Sequence, residues 1–84
     1  MNKENAIKAI LEQLSKEFKI SESIACSFTN TSLFLEPFSL DAISMTYLVI
    51  MLQERFHVED YPECVSSFQN TTIEGFANWL SDDH

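Results

Sequence analysis

The chain has 84 residues, 45% of them apolar, and 13 acids against 5 bases give it a net charge of −8. At that length a chain buries only about 60 to 65% of its unfolded surface, which allows a single domain with one small core and leaves no room for a two-lobed active-site cleft. So acidic a body repels phosphate backbones and anionic lipid surfaces, so nucleic acid and membrane are set aside as partners in favour of proteins presenting Lys or Arg.

One Gly and two Pro accompany the apolar content, and this predicts a packed, all-α fold rather than a disordered or β-rich chain. The charge is uneven. Lys3, Lys8, Lys16 and Lys19 stand among Glu4, Glu12 and Glu17 in the first part of the chain, and beyond them Arg55 is alone among ten acids. Met1 to Ile10 is polar and amphipathic without the apolar core of a secretion signal, and no run approaches a membrane span, so a cytoplasmic location is expected. Cys26 and Cys64 lack Cys-x-x-Cys spacing and paired histidines, which points to reduced structural thiols and no metal site.

Ile7, Ile10, Leu11, Leu14 and Phe18 recur at helical spacing with Lys8, Glu12, Gln13 and Lys16 opposite, predicting an amphipathic first helix from Asn5 to Phe18. From Lys19 to Leu40 no period is sustained. Isolated Ile24, Phe28, Leu33, Phe34, Leu35 and Phe38 are scattered there among Ser, Thr and Asn. A structureless stretch of that length is unusual in a small domain, so it is expected to pack over the bundle as a long ordered loop, with a short helical turn near Ser21 to Ala25.

Asp41 is suited to cap the next helix, because its carboxylate accepts from free amides and is favoured by the helix dipole. That helix is expected from Ala42 to Phe56. Tyr47 to Leu52 is apolar without interruption, more than one core stripe needs, so Tyr47 and either Ile50 or Met51 are expected to face outward. The competing reading packs them beneath the loop phenylalanines. Glu59-Asp60-Tyr61-Pro62 ends the helix, and Glu63 to Phe68 has room for only a turn or two of a third.

Thr71 and Glu74 fit a capping box, and Ile73, Phe76, Ala77 and Leu80 mark one face of a fourth helix from Thr72 to Ser81, which Trp79 anchors. Four unequal helices predict an antiparallel bundle. Neither His57 nor His84 has a partner at catalytic spacing, and with no nucleophile and base pair the chain is expected to be non-catalytic.

Ser32-Leu33-Phe34-Leu35-Glu36-Pro37-Phe38-Ser39-Leu40-Asp41-Ala42 is similar to the Phe-x-Glu-Asp-Leu-Gly-x-Asp-Ser approach to the attachment serine of the acyl carrier and peptidyl carrier protein family. Phe34, Glu36, Phe38 and Asp41 fall in step. Leu48, Val49, Leu52, Glu54 and Phe56 match that family's second helix, and Pro62 with Thr71-Thr72-Ile73 resembles its third-helix and fourth-helix starts. The attachment serine then falls on Ala42, which has no hydroxyl to attack coenzyme A. A second register sets Ser39-Leu40-Asp41 on the family's Ser-Leu-Asp letters; the spacings from Phe34 and to Phe56, with the core pattern, favour Ala42.

The resemblance implies an all-α, acyl-carrier-protein-like four-helix bundle with a long loop between its first and second helices, forming one carrier domain over residues 1–84. It implies a monomer that tethers acyl or aminoacyl thioesters on a 4'-phosphopantetheine arm for fatty-acid, polyketide or nonribosomal peptide-type biosynthesis. The start methionine and the short stretch after Leu80 favour a stand-alone protein over an excised synthase domain. The arm belongs to a serine-bearing form, and none is expected on the chain as written. Implied partners are a phosphopantetheinyl transferase, which Asp41 would help to place, and acyl- or aminoacyl-loading and transferring enzymes.

Ser44, Met45, Tyr47, Ile50, Met51 and Glu54 form the expected partner surface. Fatty-acid members carry several acids on this face, and Ser44, Tyr47 and Gln53 in their place imply hydrophobic contact. Phe34, Leu48, Leu52, Phe68 and Ile73 are expected as core, with an acyl cavity as the alternative. Two readings account for Ala42. One is a Ser to Ala change that keeps the chain unmodified, favoured by the family-like surroundings; the other is a naturally arm-less protein that binds or regulates a biosynthetic enzyme.

Overall fold

The structure, a computed structural model, describes residues 2–81; His84 lies outside them. Asn2 opens the first helix, its side-chain oxygen accepting from the Asn5 amide at 2.8 Å. That amide is one of the four that a helix start leaves without a backbone partner. Helix α1 therefore runs Lys3–Phe18, beginning two residues before the predicted Asn5. It ends on Lys19, whose left-handed φ of 58° returns its amide to the Leu14 carbonyl, as helix C-caps commonly do.

Helix α2, Glu22–Ala25, passes into a 3-10 turn at Cys26–Phe28. Helix α3 spans Ala42–Phe56, two further 3-10 turns cover Glu63–Ser66 and Phe68–Asn70, and α4 is Ile73–Ser81. The described residues form four α-helices and no strand. The expected all-helical class holds.

α1 and α3 run antiparallel, because ascending positions on one meet descending positions on the other. Glu12 Oε1 lies 3.2 Å from Arg55 Nη2, Gln13 Nε2 donates to Met51 Sδ at 3.3 Å, and the Phe18 ring meets Tyr47 edge-on at 6.4 Å. Lys3 Nζ pairs with Glu74 at 2.6 Å, bringing the first turns of α1 and α4 together. Both ion pairs are partly exposed and contribute at most about 1 kcal/mol each. The core decides stability: Ile10, Leu14, Leu48, Leu52, Ile73, Phe76 and Leu80 are at most 1% exposed, and fully burying a side chain of that size stabilises by about 1.5–3 kcal/mol.

The segment between α1 and α3 packs only in part. Leu33, Phe38 and Leu40 are buried, whereas Ile24, Phe28 and Leu35 are 42–49% exposed. Local hydrogen bonds explain the division. Phe38 and Ser39 amides both donate to the Leu35 carbonyl at 2.9 and 2.8 Å, and the Leu40 amide donates to the Leu33 carbonyl at 2.9 Å. The tight loop so formed draws Leu33 and Leu40 together on the inside and leaves Leu35 at its tip.

The predicted third helix is two 3-10 turns, and the reason is Thr71. This fully buried residue places its hydroxyl 2.8 Å from both the Cys64 and the Ser67 carbonyls. Its amide donates to Ser67 O at 3.1 Å and its carbonyl accepts from Leu33 N at 2.7 Å. With Thr71 committed inward, the cap of α4 moves one residue on: Thr72 Oγ1 accepts from Gly75 N at 2.9 Å. A Cβ at Gly75 would collide with the Asn70 carbonyl, so only glycine fits beneath that turn. Of the residues considered for a cavity, Leu48, Leu52 and Ile73 are fully buried, while Phe34 stacks on the half-exposed Phe68 at 5.6 Å.

Thr71→Val keeps the side-chain shape and removes the shared hydroxyl. It should lower unfolding free energy by about 1–3 kcal/mol, the cost of leaving a buried carbonyl unpaired, measured by urea titration.

Candidate functional site at the start of α3

Asp41 adopts an extended conformation (φ −93°, ψ 179°), and its Oδ1 accepts from the Ser44 amide at 2.7 Å. The hydrogen bond from the Ser44 backbone holds the carboxyl below its ordinary 3.8, since it favours the charged form. Ser39, three residues before the helix, has a left-handed φ of 47°, and buried Leu40 anchors the turn that aims Asp41 at the helix start.

Ala42 is the first residue of α3 and is exposed. Its carbonyl accepts from Thr46 Oγ1 at 2.9 Å; its side chain offers only a methyl. Ile43 is 81% exposed, Tyr47 50% and Ile50 44%, so positions i, i+4 and i+7 form one outward stripe. With Ala42 and Thr46 they line a shallow groove. Glu54, a turn beyond Ile50, is also exposed.

Other members of the expected surface lie elsewhere. Met45 is 4% exposed; it shares the core face with Leu48, Val49 and Leu52, so an outside partner does not reach it. Met51 is partly buried against Gln13. Ser44 is half-buried and its amide belongs to Asp41. Ile43, the most exposed of the large apolar residues, was not foreseen in the partner surface. Its signal lay in the sequence, because it stands four residues before Tyr47 and seven before Ile50.

Ser39 is exposed beside a second shallow groove lined by Phe28, Glu36 and Pro37. Cys26 and Cys64 are free thiols. Burial pushes Cys64 up to about 11, which makes it a poorer nucleophile than an ordinary cysteine. No helix among the described residues is long and apolar enough to cross a membrane. Comparison with protein-family models, with curated proteins and with solved structures finds no match.

Two outcomes follow from this geometry. A depressed carboxyl stabilises the fold above its unfolded value, and that contribution is lost as the pH falls through the folded value. Asp41→Ala should therefore melt below the parent at neutral pH, with the gap closing as the pH drops under 3.8. Tyr47→Glu removes the edge contact with Phe18, worth about 0.5–1.5 kcal/mol, and should leave the circular dichroism spectrum intact; an unfolded variant would show that the ring belongs to the core.

Proposed function

We propose that the chain is a cytoplasmic carrier-type domain in which Ala42 occupies the position that bears a thioester-carrying arm in its serine-bearing form. The observation that carries this reading is the junction of Asp41 and Ala42. The sequence there resembles an attachment site, and an exposed first helical residue directly behind a capping aspartate is where a modifying enzyme would reach a hydroxyl.

The 4'-phosphopantetheine group does not fit the chain as written, because the Ala42 methyl has no oxygen to join to phosphate. The chain's own contribution is then to present the exposed face of α3 to a transferase and to loading and transferring enzymes. The exposed Ile43, Tyr47 and Ile50 favour a second reading, a protein that never carries the arm and works as a binding or regulatory partner of a biosynthetic enzyme. Their stripe continues to Ala42 and offers contact without any arm.

Ala42→Ser, treated with coenzyme A and a phosphopantetheinyl transferase, should gain the mass of one phosphopantetheine, located by peptide mapping at residue 42. A folded variant that stays unmodified would overturn the carrier reading in favour of the binding one. An arm found on Ser39 would move the attachment site three residues upstream.

A further inference from the structure

α1 and α3 meet across a seam whose polar contacts, among the described residues, all pass through Gln13 or Arg55. Gln13 is 9% exposed. Its Nε2 donates to Met51 Sδ at 3.3 Å, and its Oε1 accepts from Arg55 Nη1 at 3.3 Å. Arg55 Nη2 in turn lies 3.2 Å from Glu12 Oε1, and the guanidinium carbon sits 5.5 Å from the centroid of the Phe56 ring. A buried amide needs an acceptor, and Gln13 gives its N–H to a thioether, one of the weakest acceptors a side chain offers. The run from Glu12 through Arg55 and Gln13 therefore ends on a sulfur atom that a mild oxidant can change.

We propose that Met51 is a peroxide-sensitive modification site, whose oxidation to the sulfoxide loosens α1 from α3 at this seam. The step is an oxygen transfer. A lone pair of Sδ attacks one oxygen of the peroxide, the O–O bond breaks as the S–O bond forms, and the departing hydroxide takes the proton of the transferred oxygen and leaves as water. Sulfur loses two electrons and the peroxide gains them. Met51 is half-buried, within reach of a small oxidant, whereas Met45 is 4% exposed and shielded in the core beside Leu48 and Leu52. The new oxygen has no room in the present contact. A hydrogen bond of about 2.9 Å to it, added to the S–O bond, holds nitrogen and sulfur farther apart than the 3.3 Å between Gln13 and Met51. Gln13 must swing away, and the acceptor of Arg55 Nη1 goes with it. Oxidation also turns an apolar, adaptable side chain into a polar one where two helices pack. The site does not depend on whether residue 42 ever bears an arm.

Hydrogen peroxide in limiting amount, followed by dithiothreitol to return reversibly oxidised cysteines, tests it. Peptide mapping should find the sulfoxide forming at Met51 roughly tenfold faster than at Met45. The oxidised protein should unfold at lower urea and show shifted amides at Gln13 and Arg55, and methionine sulfoxide reductase should restore both. Met51→Leu keeps the apolar volume and removes the sulfur; its urea midpoint should no longer respond to peroxide, which separates Met51 from the thiols and from the other methionines. Met45 oxidised as fast as Met51 would overturn the proposal. So would a Met51 sulfoxide that leaves the urea midpoint and the Gln13 and Arg55 amides in place, or a Met51→Leu protein as sensitive to peroxide as the parent. The mapping and the unfolding are read on the parent chain, so they decide the matter even if Met51→Leu does not fold.

Discussion

The start of α3 is held in place by a relay of hydrogen bonds that begins at Thr71. Backbone groups in irregular segments need partners when buried, and outside a helix or sheet ladder they must find them one at a time. Thr71 satisfies carbonyls of the 3-10 segment with its hydroxyl and the Leu33 amide with its carbonyl; Leu33 in turn accepts from Leu40. Leu40 precedes Asp41, which caps α3. The Glu74 amide adds a second tie, donating to the Thr29 carbonyl at 3.0 Å. A residue far away in sequence thus places the candidate site.

From there α3 divides its apolar residues between two tasks. Met45, Leu48, Val49 and Leu52 are buried and supply much of the core. Ile43 stands out in solvent and adds little to folding, because surface left in water gains no transfer free energy; Tyr47 and Ile50 are about half exposed, and Tyr47 keeps its edge contact with Phe18. Single exposed apolar residues are ordinary on any protein. Three in line beside a helix start are the observation on which the proposed binding reading rests.

The elements with local causes were legible. The bounds expected for the capped helix, Ala42 to Phe56, are those of α3, because Asp41 caps within its own turn and His57 ends the helix with a left-handed φ of 56°. The α1 stripe was readable for the same reason, though Asn2 was missed as its cap. Elsewhere a partner distant in sequence overrode the local pattern. Thr71 and Glu74 had the letters of a capping box, but Thr71 turned inward and Glu74 paired with Lys3. Met45 read as a surface neighbour of Ala42, yet its helical phase belongs with Leu48 and Leu52.

By itself, then, the sequence determined an all-helical chain, a capped helix beginning at Ala42, and a methyl where the resemblance calls for a hydroxyl. All three follow from interactions within a few residues or from side-chain chemistry alone. Only the tertiary structure decided that Ile50 rather than Met51 meets solvent, that Arg55 is tied to α1, and that the 3-10 turns replace a third α-helix. Those outcomes depend on contacts between segments that are far apart along the chain, and burial is a property of the packed whole.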